Sequence, residues 1–209
     1  MDTLTAIFGT PAKVKILRLF LFNPEVPFFA PEIIERTKCP GAAVKKELNS
    51  LLKIGLLKKR VVIKDVPVIK KNKPTTTKKV QGLGYTLNTK FVYTDLLKTF
   101  LTIASVSADE SLLKKFQSVG RLKVLIASGV FIQNWDSRVD LLIVGEELDT
   151  NRIENIIKHI EAEIGKEIAY SAFDTSDFEY RMGIHDRLVR DILDYPHVTL
   201  LDRLGVEPE

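Results

Sequence analysis

Cysteine and long apolar runs are scarce in this chain of 209 residues. Its only cysteine is Cys39, which excludes an internal disulfide and a cysteine-rich metal site. No run of about 18 apolar residues occurs, so we expect no membrane-spanning helix. The first residues have no basic region ahead of their apolar positions, and we therefore expect no signal peptide. These absences predict a cytoplasmic protein.

Charge is distributed unevenly along the chain, although the net charge is only +4. Residues 1–90 contain 18 Lys and Arg against 6 Asp and Glu, a net charge of +12. Residues 91–209 contain 13 against 21, a net charge of −8. A basic half joined to an acidic half indicates that only the first half meets a polyanion. We therefore place a domain boundary near residue 90.

The segment 40–57 carries the clearest pattern in the chain. It predicts a helix over 40–54, a break at Gly55 and the start of a strand. The apolar face of this helix consists of Val44, Leu48, Leu51 and Leu52. A second face carries Ala42, Lys45, Lys46, Asn49 and Lys53. Small residues permit close approach to a nucleic-acid groove, lysines neutralise phosphates and an asparagine pairs with a base edge. The alternative is an amphipathic helix with a solvated basic face.

The elements around this helix predict a helix-turn-helix followed by a hairpin. Thr10 and Pro11 open a helix that ends at Asn23-Pro24, and a second helix spans 31–37. After Gly55 the apolar period changes to two, which predicts strands near 57–63 and 80–87. Residues 58–79 hold nine basic side chains and one acid, Asp65. A basic segment in this place is typical of a hairpin that contacts DNA. The alternative is that the segment is a solvated, flexible loop.

The predicted DNA-binding residues come from both elements. They are Ala42, Lys45, Lys46, Asn49, Lys53, Lys58, Lys59, Arg60, Lys70, Lys71, Lys73, Lys78 and Lys79. The expected partner is double-stranded DNA. A basic hairpin also binds RNA, so an RNA-binding adaptor is a further alternative.

Residues 7–57 resemble the winged helix-turn-helix transcriptional regulators of the ArsR-like and MarR-like type. The resemblance rests on Lys46-Glu47-Leu48 and Gly55-Leu56-Leu57, together with a first helix that follows the family's K-x-x-I-L-x-x-L pattern from Lys13 but has Phe20 at the last position. It implies a winged-helix fold over 1–90 and DNA binding. The segment has no cluster of Cys or His, so a metal sensor of the ArsR type is not expected.

The middle segment, 91–119, is predicted to be a helical linker. Its apolar stripe contains Leu96, Leu97, Phe100 and Leu101. One interpretation is a simple connection between domains. The other is a helix that pairs with a second copy of the chain, because helix-turn-helix proteins commonly read two half-sites as dimers. We favour a homodimer.

Residues 120–209 alternate between strand-like and helix-like patterns. The predicted strands are 122–127, 139–144, 167–173 and 197–201, and the predicted helices are 150–164 and 176–193. This alternation predicts a small α/β domain with a mixed sheet. The fold class of the whole chain is therefore α+β, with an N-terminal winged helix-turn-helix and a C-terminal α/β domain.

The C-terminal domain resembles the minimal nucleotidyltransferase fold of the DNA polymerase beta type. That family has a Gly-Ser turn and a Ser-Asp-x-Asp strand whose carboxylates bind Mg²⁺. Here Ser128-Gly129 inverts the turn, Ser137 matches the serine, and Arg138 and Asp140 occupy the two carboxylate positions. The strand that would supply a third carboxylate has Ala169.

These departures predict a degenerate site without catalysis, metal or cofactor. One carboxylate beside an arginine does not balance the charge of Mg²⁺ and a triphosphate. Arg138 either pairs with Asp140 or helps to bind a phosphate-bearing effector. The chain is therefore interpreted as a DNA-binding transcriptional regulator whose C-terminal domain serves sensing or interaction. The alternative is an active nucleotidyltransferase that modifies a protein, tRNA or small molecule.

Overall fold

The protein is described by a computed structural model that covers residues 3–68, 76–103, 110–135 and 137–206, with side chains left undescribed at 66–68, 76 and 78. The described chain is mixed α+β, as expected. It divides into two compact units. The first contains residues 3–103 with 164–166, and the second contains 110–163 with 167–206. No helix of the described residues is both long and apolar enough to cross a membrane.

Five helices and one hairpin make up the first unit as described. They are α1 Thr3–Phe8, α2 Pro11–Phe22, α3 Ala30–Thr37, α4 Gly41–Lys53, β1 Leu57–Val68, β2 Thr76–Leu87 and α5 Thr94–Ile103. Thr10 caps α2 as predicted, since its hydroxyl accepts the Lys13 N–H at 3.1 Å. The Glu32 carboxylate accepts the Phe29 N–H at 2.6 Å and fixes the start of α3. Lys38 adopts a left-handed conformation, φ 52°, and turns the chain from α3 into α4.

The core of the first unit lies between the helices. Its largest fully buried side chains include Ile16 and Phe20 of α2, Ile33 of α3 and Leu48 of α4. α3 and α4 each bury one face, whereas α2 is buried on nearly all sides from Ile16 to Leu21. The packing fixes α4 against α2 and leaves its second face to solvent.

The hairpin β1–β2 pairs in register from Leu57 opposite Leu87 to Val68 opposite Thr76. It is longer than predicted, because regular pairing extends well beyond 63 and begins before 80. Phe28 forms a single β-bridge to the hairpin: its N–H donates to the Tyr85 carbonyl at 2.9 Å, and the Tyr85 N–H donates back at 2.8 Å. The hairpin is thus attached to the helical body through its second strand.

The second unit is built on a four-stranded sheet in the order β5-β4-β3-β6. Its elements are α6 Glu110–Phe116, β3 Arg121–Ala127, β4 Leu141–Glu146, α7 Thr150–Ile164, β5 Tyr170–Asp174, α8 Thr175–Gly183, α9 Arg187–Leu193 and β6 Val198–Asp202, with a 3₁₀ turn at Gly129–Ile132. β4 and β5 run parallel, whereas β3 is antiparallel to both neighbours. The prediction of a mixed sheet is confirmed.

One face of this sheet is covered by α8 and α9. Val124, Ile126 and Leu142 of the central strands pack into the same cluster as Phe178 of α8 and Ile192 of α9. The central strands are almost wholly buried, which explains why they read as continuous apolar runs in the sequence.

The single helix predicted over 176–193 is wrong, because two helices occupy this segment. α8 ends at Gly183 and α9 begins at Arg187. Between them His185 has φ 55°. The Asp186 carboxylate accepts the N–H groups of Leu188 and Val189, at 2.9 and 3.4 Å, and so caps α9. The apolar spacing continues across the break, which is why the sequence pattern does not show it.

Candidate functional sites

The second face of α4 is the first candidate site. Ala42, Lys45, Lys46, Asn49 and Lys53 are all exposed, whereas Val44, Leu48 and Leu51 are buried. The structure therefore presents all five predicted residues of this helix on its solvent side. No described acidic residue forms an ion pair with the three lysines. Their charges are available to an anionic partner.

A buried acid that no sequence pattern marks holds α4 in place. Glu47 is 4% exposed and accepts the Thr10 hydroxyl at 3.0 Å. Its other oxygen lies 3.2 Å from the Lys13 ammonium. Thr10 also caps α2, so one small network joins the start of α2 to the middle of α4. This network restrains the rotation of α4 and fixes the direction of its lysine face.

The basic residues of the hairpin are distributed over both of its faces. Side chains alternate along a strand, so Lys58 and Arg60 lie on one face and Lys59 lies on the other. Lys79 is exposed and lies directly opposite Asp65, which offsets part of its charge. The predicted residues Lys70, Lys71 and Lys73, and the Lys78 side chain, fall outside the described residues.

Lys64 is a basic residue of the hairpin that is not available to bind phosphate, because its charge is already paired within the unit. Its ammonium lies 2.9 and 3.0 Å from the two Glu32 oxygens. It also lies 5.3 Å from the Phe28 ring centre and 5.6 Å from that of Phe29. A Cβ at Gly82 would lie 3.1 Å from the Phe29 ring, so this glycine permits the close approach. Lys64 joins the hairpin to α3.

The second candidate site lies at the start of β4 and is organised by Asp140, which is 6% exposed. One carboxylate oxygen accepts the Val130 N–H at 2.8 Å, and the other accepts the Ala169 N–H at 2.9 Å. The Asp140 N–H in turn donates to the Ala169 carbonyl at 2.6 Å. Both carboxylate oxygens therefore join backbone segments, the 3₁₀ turn on one side and the chain entering β5 on the other.

The predicted turn residues surround Asp140 and are themselves engaged. Gly129 has φ 54°, and a Cβ there would lie 1.9 Å from an Asp140 oxygen, so this position requires glycine. The hydroxyls of Ser128 and Ser137 both donate to the Val139 carbonyl, at 2.5 and 2.8 Å. The inverted Ser-Gly pair thus builds a backbone turn around the carboxylate.

Arg138 does not pair with Asp140. Its guanidinium donates to Asp191 of α9 at 3.1 Å, and its side chain is 66% exposed. The Arg187 guanidinium lies 4.0 Å from the same Asp191 oxygen. The adjacent cavity, of about 320 Å³, is lined by Asn134, Ser137, Arg138, Arg187, Asp191 and Tyr195.

Among the described residues, no group of three or more His, Cys, Asp or Glu side chains is arranged to bind a metal ion. Ala169, at the position where the nucleotidyltransferase fold would supply a third carboxylate, contributes backbone hydrogen bonds to Asp140.

Comparisons with protein families, curated proteins and solved structures find no match to this chain. Its function must therefore be argued from its own residues.

No sequence pattern marks Arg187, Asp191 and Tyr195 as members of the second site. They lie about fifty positions beyond Arg138, on α9 and just after it. A run of Arg and Asp at helical spacing is normally a solvated helix face, so no local signal separates these residues from their neighbours.

Proposed function

We propose that the chain is a cytoplasmic transcriptional regulator that binds double-stranded DNA through its N-terminal unit. In this proposal the first unit is a winged helix-turn-helix, α3 and α4 are its two helices, and α4 enters the major groove. The second unit is a nucleotidyltransferase-like domain without catalysis, used for sensing or interaction.

The exposed second face of α4 carries the proposal. Three lysines lie beside Asn49 and the small Ala42, and Glu47 fixes this face outward by its bonds to Thr10 and Lys13. A rigid helix with phosphate-neutralising lysines around one amide combines positioning and base readout in a single element.

The hairpin supports the same interpretation. It follows α4 directly, is joined to Phe28 by a single β-bridge, and presents Lys58, Lys59 and Arg60 to solvent. A helix-turn-helix followed by a basic hairpin that extends from the helical body is the arrangement of a winged helix. The hairpin would then contact the phosphate backbone beside the groove that α4 occupies.

A homodimer is part of the proposal. α5 buries Leu101 and leaves Leu96, Phe100 and Ile103 exposed, with Leu96 and Ile103 exposed by about 70%. These residues follow i, i+4, i+7 spacing and form one apolar face. Pairing of this face in two copies would place two α4 helices about one turn of DNA, roughly 34 Å, apart.

The bonding of Asp140 favours a non-catalytic role for the second unit over the nucleotidyltransferase alternative. Metal-assisted nucleotide transfer requires several carboxylates that converge on Mg²⁺. Here the carboxylate at that position is buried and bonded to two backbone N–H groups. Arg138, at the other carboxylate position of the motif, supplies no negative charge, and its guanidinium bonds to Asp191.

Titration of fluorescent duplex DNA at several salt concentrations tests the proposal. With four phosphates neutralised, affinity falls by about two decades between 50 and 200 mM salt. The double substitution Lys45→Gln with Lys46→Gln should weaken all duplexes about equally and reduce the salt slope by roughly 2. The matched control, Lys114→Gln with Lys158→Gln, removes the same charge from exposed helices of the second unit.

Two results would contradict the proposal. One is an absence of duplex binding at low salt. The other is an equal loss of affinity in the control variant, because general charge would then explain the binding.

A further inference from the structure

The cavity beside Arg138 is lined by more guanidinium groups, which donate hydrogen bonds, than carboxylates, which accept them. Arg138 and Arg187 converge on one oxygen of Asp191, at 3.1 and 4.0 Å. Two guanidinium groups offer ten N–H donors in two planar forks, whereas the single carboxylate offers one negative charge. Among the described lining residues the cavity therefore carries an excess positive charge.

The neighbouring arginines are each paired with their own acids, and Arg181 has two of them. Arg190 lies 3.0 Å from Asp194. Arg181 lies 3.1 Å from Asp177 and 3.3 Å from Asp186. Arg138 and Arg187 are thus the two arginines here that share a single acid, and both are largely exposed.

The rest of the lining determines which kind of anion fits. The cavity, of about 320 Å³, lies at the small end of the usual range for ligand clefts, roughly 300–1,000 Å³. Asn134 adds an amide, and Tyr195, which is 63% exposed, contributes an aromatic ring at the rim. Guanidinium pairs match the oxygens of a phosphate in a bidentate manner, and an aromatic ring packs against another flat group.

We propose that this cavity binds a small aromatic phosphate monoester, with the phosphate on Arg138 and Arg187 and the ring on Tyr195. Asp191 holds the two guanidinium groups together in the free protein and competes with the ligand for them. The proposal goes beyond DNA binding and does not depend on it, because the site is measured on the protein alone.

Calorimetric titration of the full chain with phenyl phosphate tests this assignment. Arg138→Gln and Arg187→Gln should each weaken binding by roughly tenfold or more, the loss expected for a charge-assisted hydrogen bond. Asp191→Asn should strengthen binding severalfold, since it releases both guanidinium groups. Arg152→Gln, which removes an exposed arginine paired with Asp149 elsewhere in the same unit, should leave affinity unchanged.

The aromatic part of the ligand is tested separately. Glycerol phosphate and inorganic phosphate should bind more weakly than phenyl phosphate, and Tyr195→Ala should abolish that preference. Benzoate, which carries the ring on a carboxylate, should bind more weakly than phenyl phosphate because it offers fewer oxygens and less charge.

Four results would overturn the assignment. The first is that neither the natural chain nor Asp191→Asn binds phenyl phosphate at 10 mM, which is about a hundredfold above a 0.1 mM dissociation constant. The second is equal affinity in the Arg187 and Arg152 variants, and the third is weaker binding in a folded Asp191→Asn. The fourth is equal affinity for phenyl phosphate and inorganic phosphate. Circular dichroism identifies any variant that fails to fold, and the remaining variants then decide.

Discussion

Replacing Asp140 with alanine should destabilise the second unit, and the effect follows from its two backbone hydrogen bonds. The substitution removes both acceptors and leaves the Val130 and Ala169 N–H groups without a partner. Val130 is 1% exposed, so its N–H has no access to water. Ala169 is exposed, so water replaces part of the second bond.

The expected magnitude is the sum of two unequal losses. A hydrogen bond to a charged acceptor contributes about 1.5–3 kcal/mol, and the buried Val130 N–H should lose that full amount. The exposed Ala169 N–H should lose about 0.5–1.5 kcal/mol. The free energy of unfolding of this unit should therefore fall by about 2–4.5 kcal/mol.

Asp140→Asn gives a matched intermediate. Asparagine keeps the size of the side chain and one acceptor oxygen, but its NH₂ group faces the other N–H donor. Its cost should lie between those of Asp140→Ala and Arg138→Ala. The Arg138 pair with Asp191 is largely exposed, so Arg138→Ala should cost under about 1 kcal/mol.

Trp135 provides the assay, because it is the only tryptophan and belongs to the second unit. Its fluorescence during urea or thermal unfolding reports on that unit. For a unit of about 100 residues, 1 kcal/mol corresponds to roughly 4–8 °C, so Asp140→Ala should lower the midpoint by at least about 8 °C. A midpoint within 2 °C of the natural chain, or an equal fall in Arg138→Ala, would refute the reasoning (both lie outside the shifts that these bonds imply).

Three further predictions concern the proposed function. Asn49→Ala should change the preference of the protein among duplex sequences, measured by competition binding, whereas uniform weakening would mean that the amide reads no base. Leu96→Glu should shift the proposed homodimer toward monomer in sedimentation, and Ile184→Glu, at a comparably exposed position of the second unit, should not. Incubation with labelled nucleoside triphosphates and Mg²⁺ or Mn²⁺ should transfer no label to protein or RNA, and label that an Asp140→Ala variant shown to be folded no longer transfers would favour the nucleotidyltransferase alternative.

The sequence by itself determined most helices and strands and the solvent face of α4. Val44, Leu48 and Leu51 recur at helical spacing, so their burial also defined which residues of α4 are exposed. A period-two pattern likewise located the hairpin, and continuous apolar runs located the central strands β3 and β4. These features depend on residues only a few positions apart in the chain. The spacing of apolar residues therefore shows directly which side of a helix or strand is buried.

The tertiary structure decided which partner each polar side chain has. Glu47 bonds to Thr10 across 37 positions, and Arg138 pairs with Asp191 across 53. Asp140, read from the sequence as a remnant of a metal site, instead accepts backbone N–H groups from two separate segments. A charged residue in a sequence has many possible partners of opposite charge. Which one lies within hydrogen-bonding distance depends on how the chain folds back on itself, and that relation has no period along the chain.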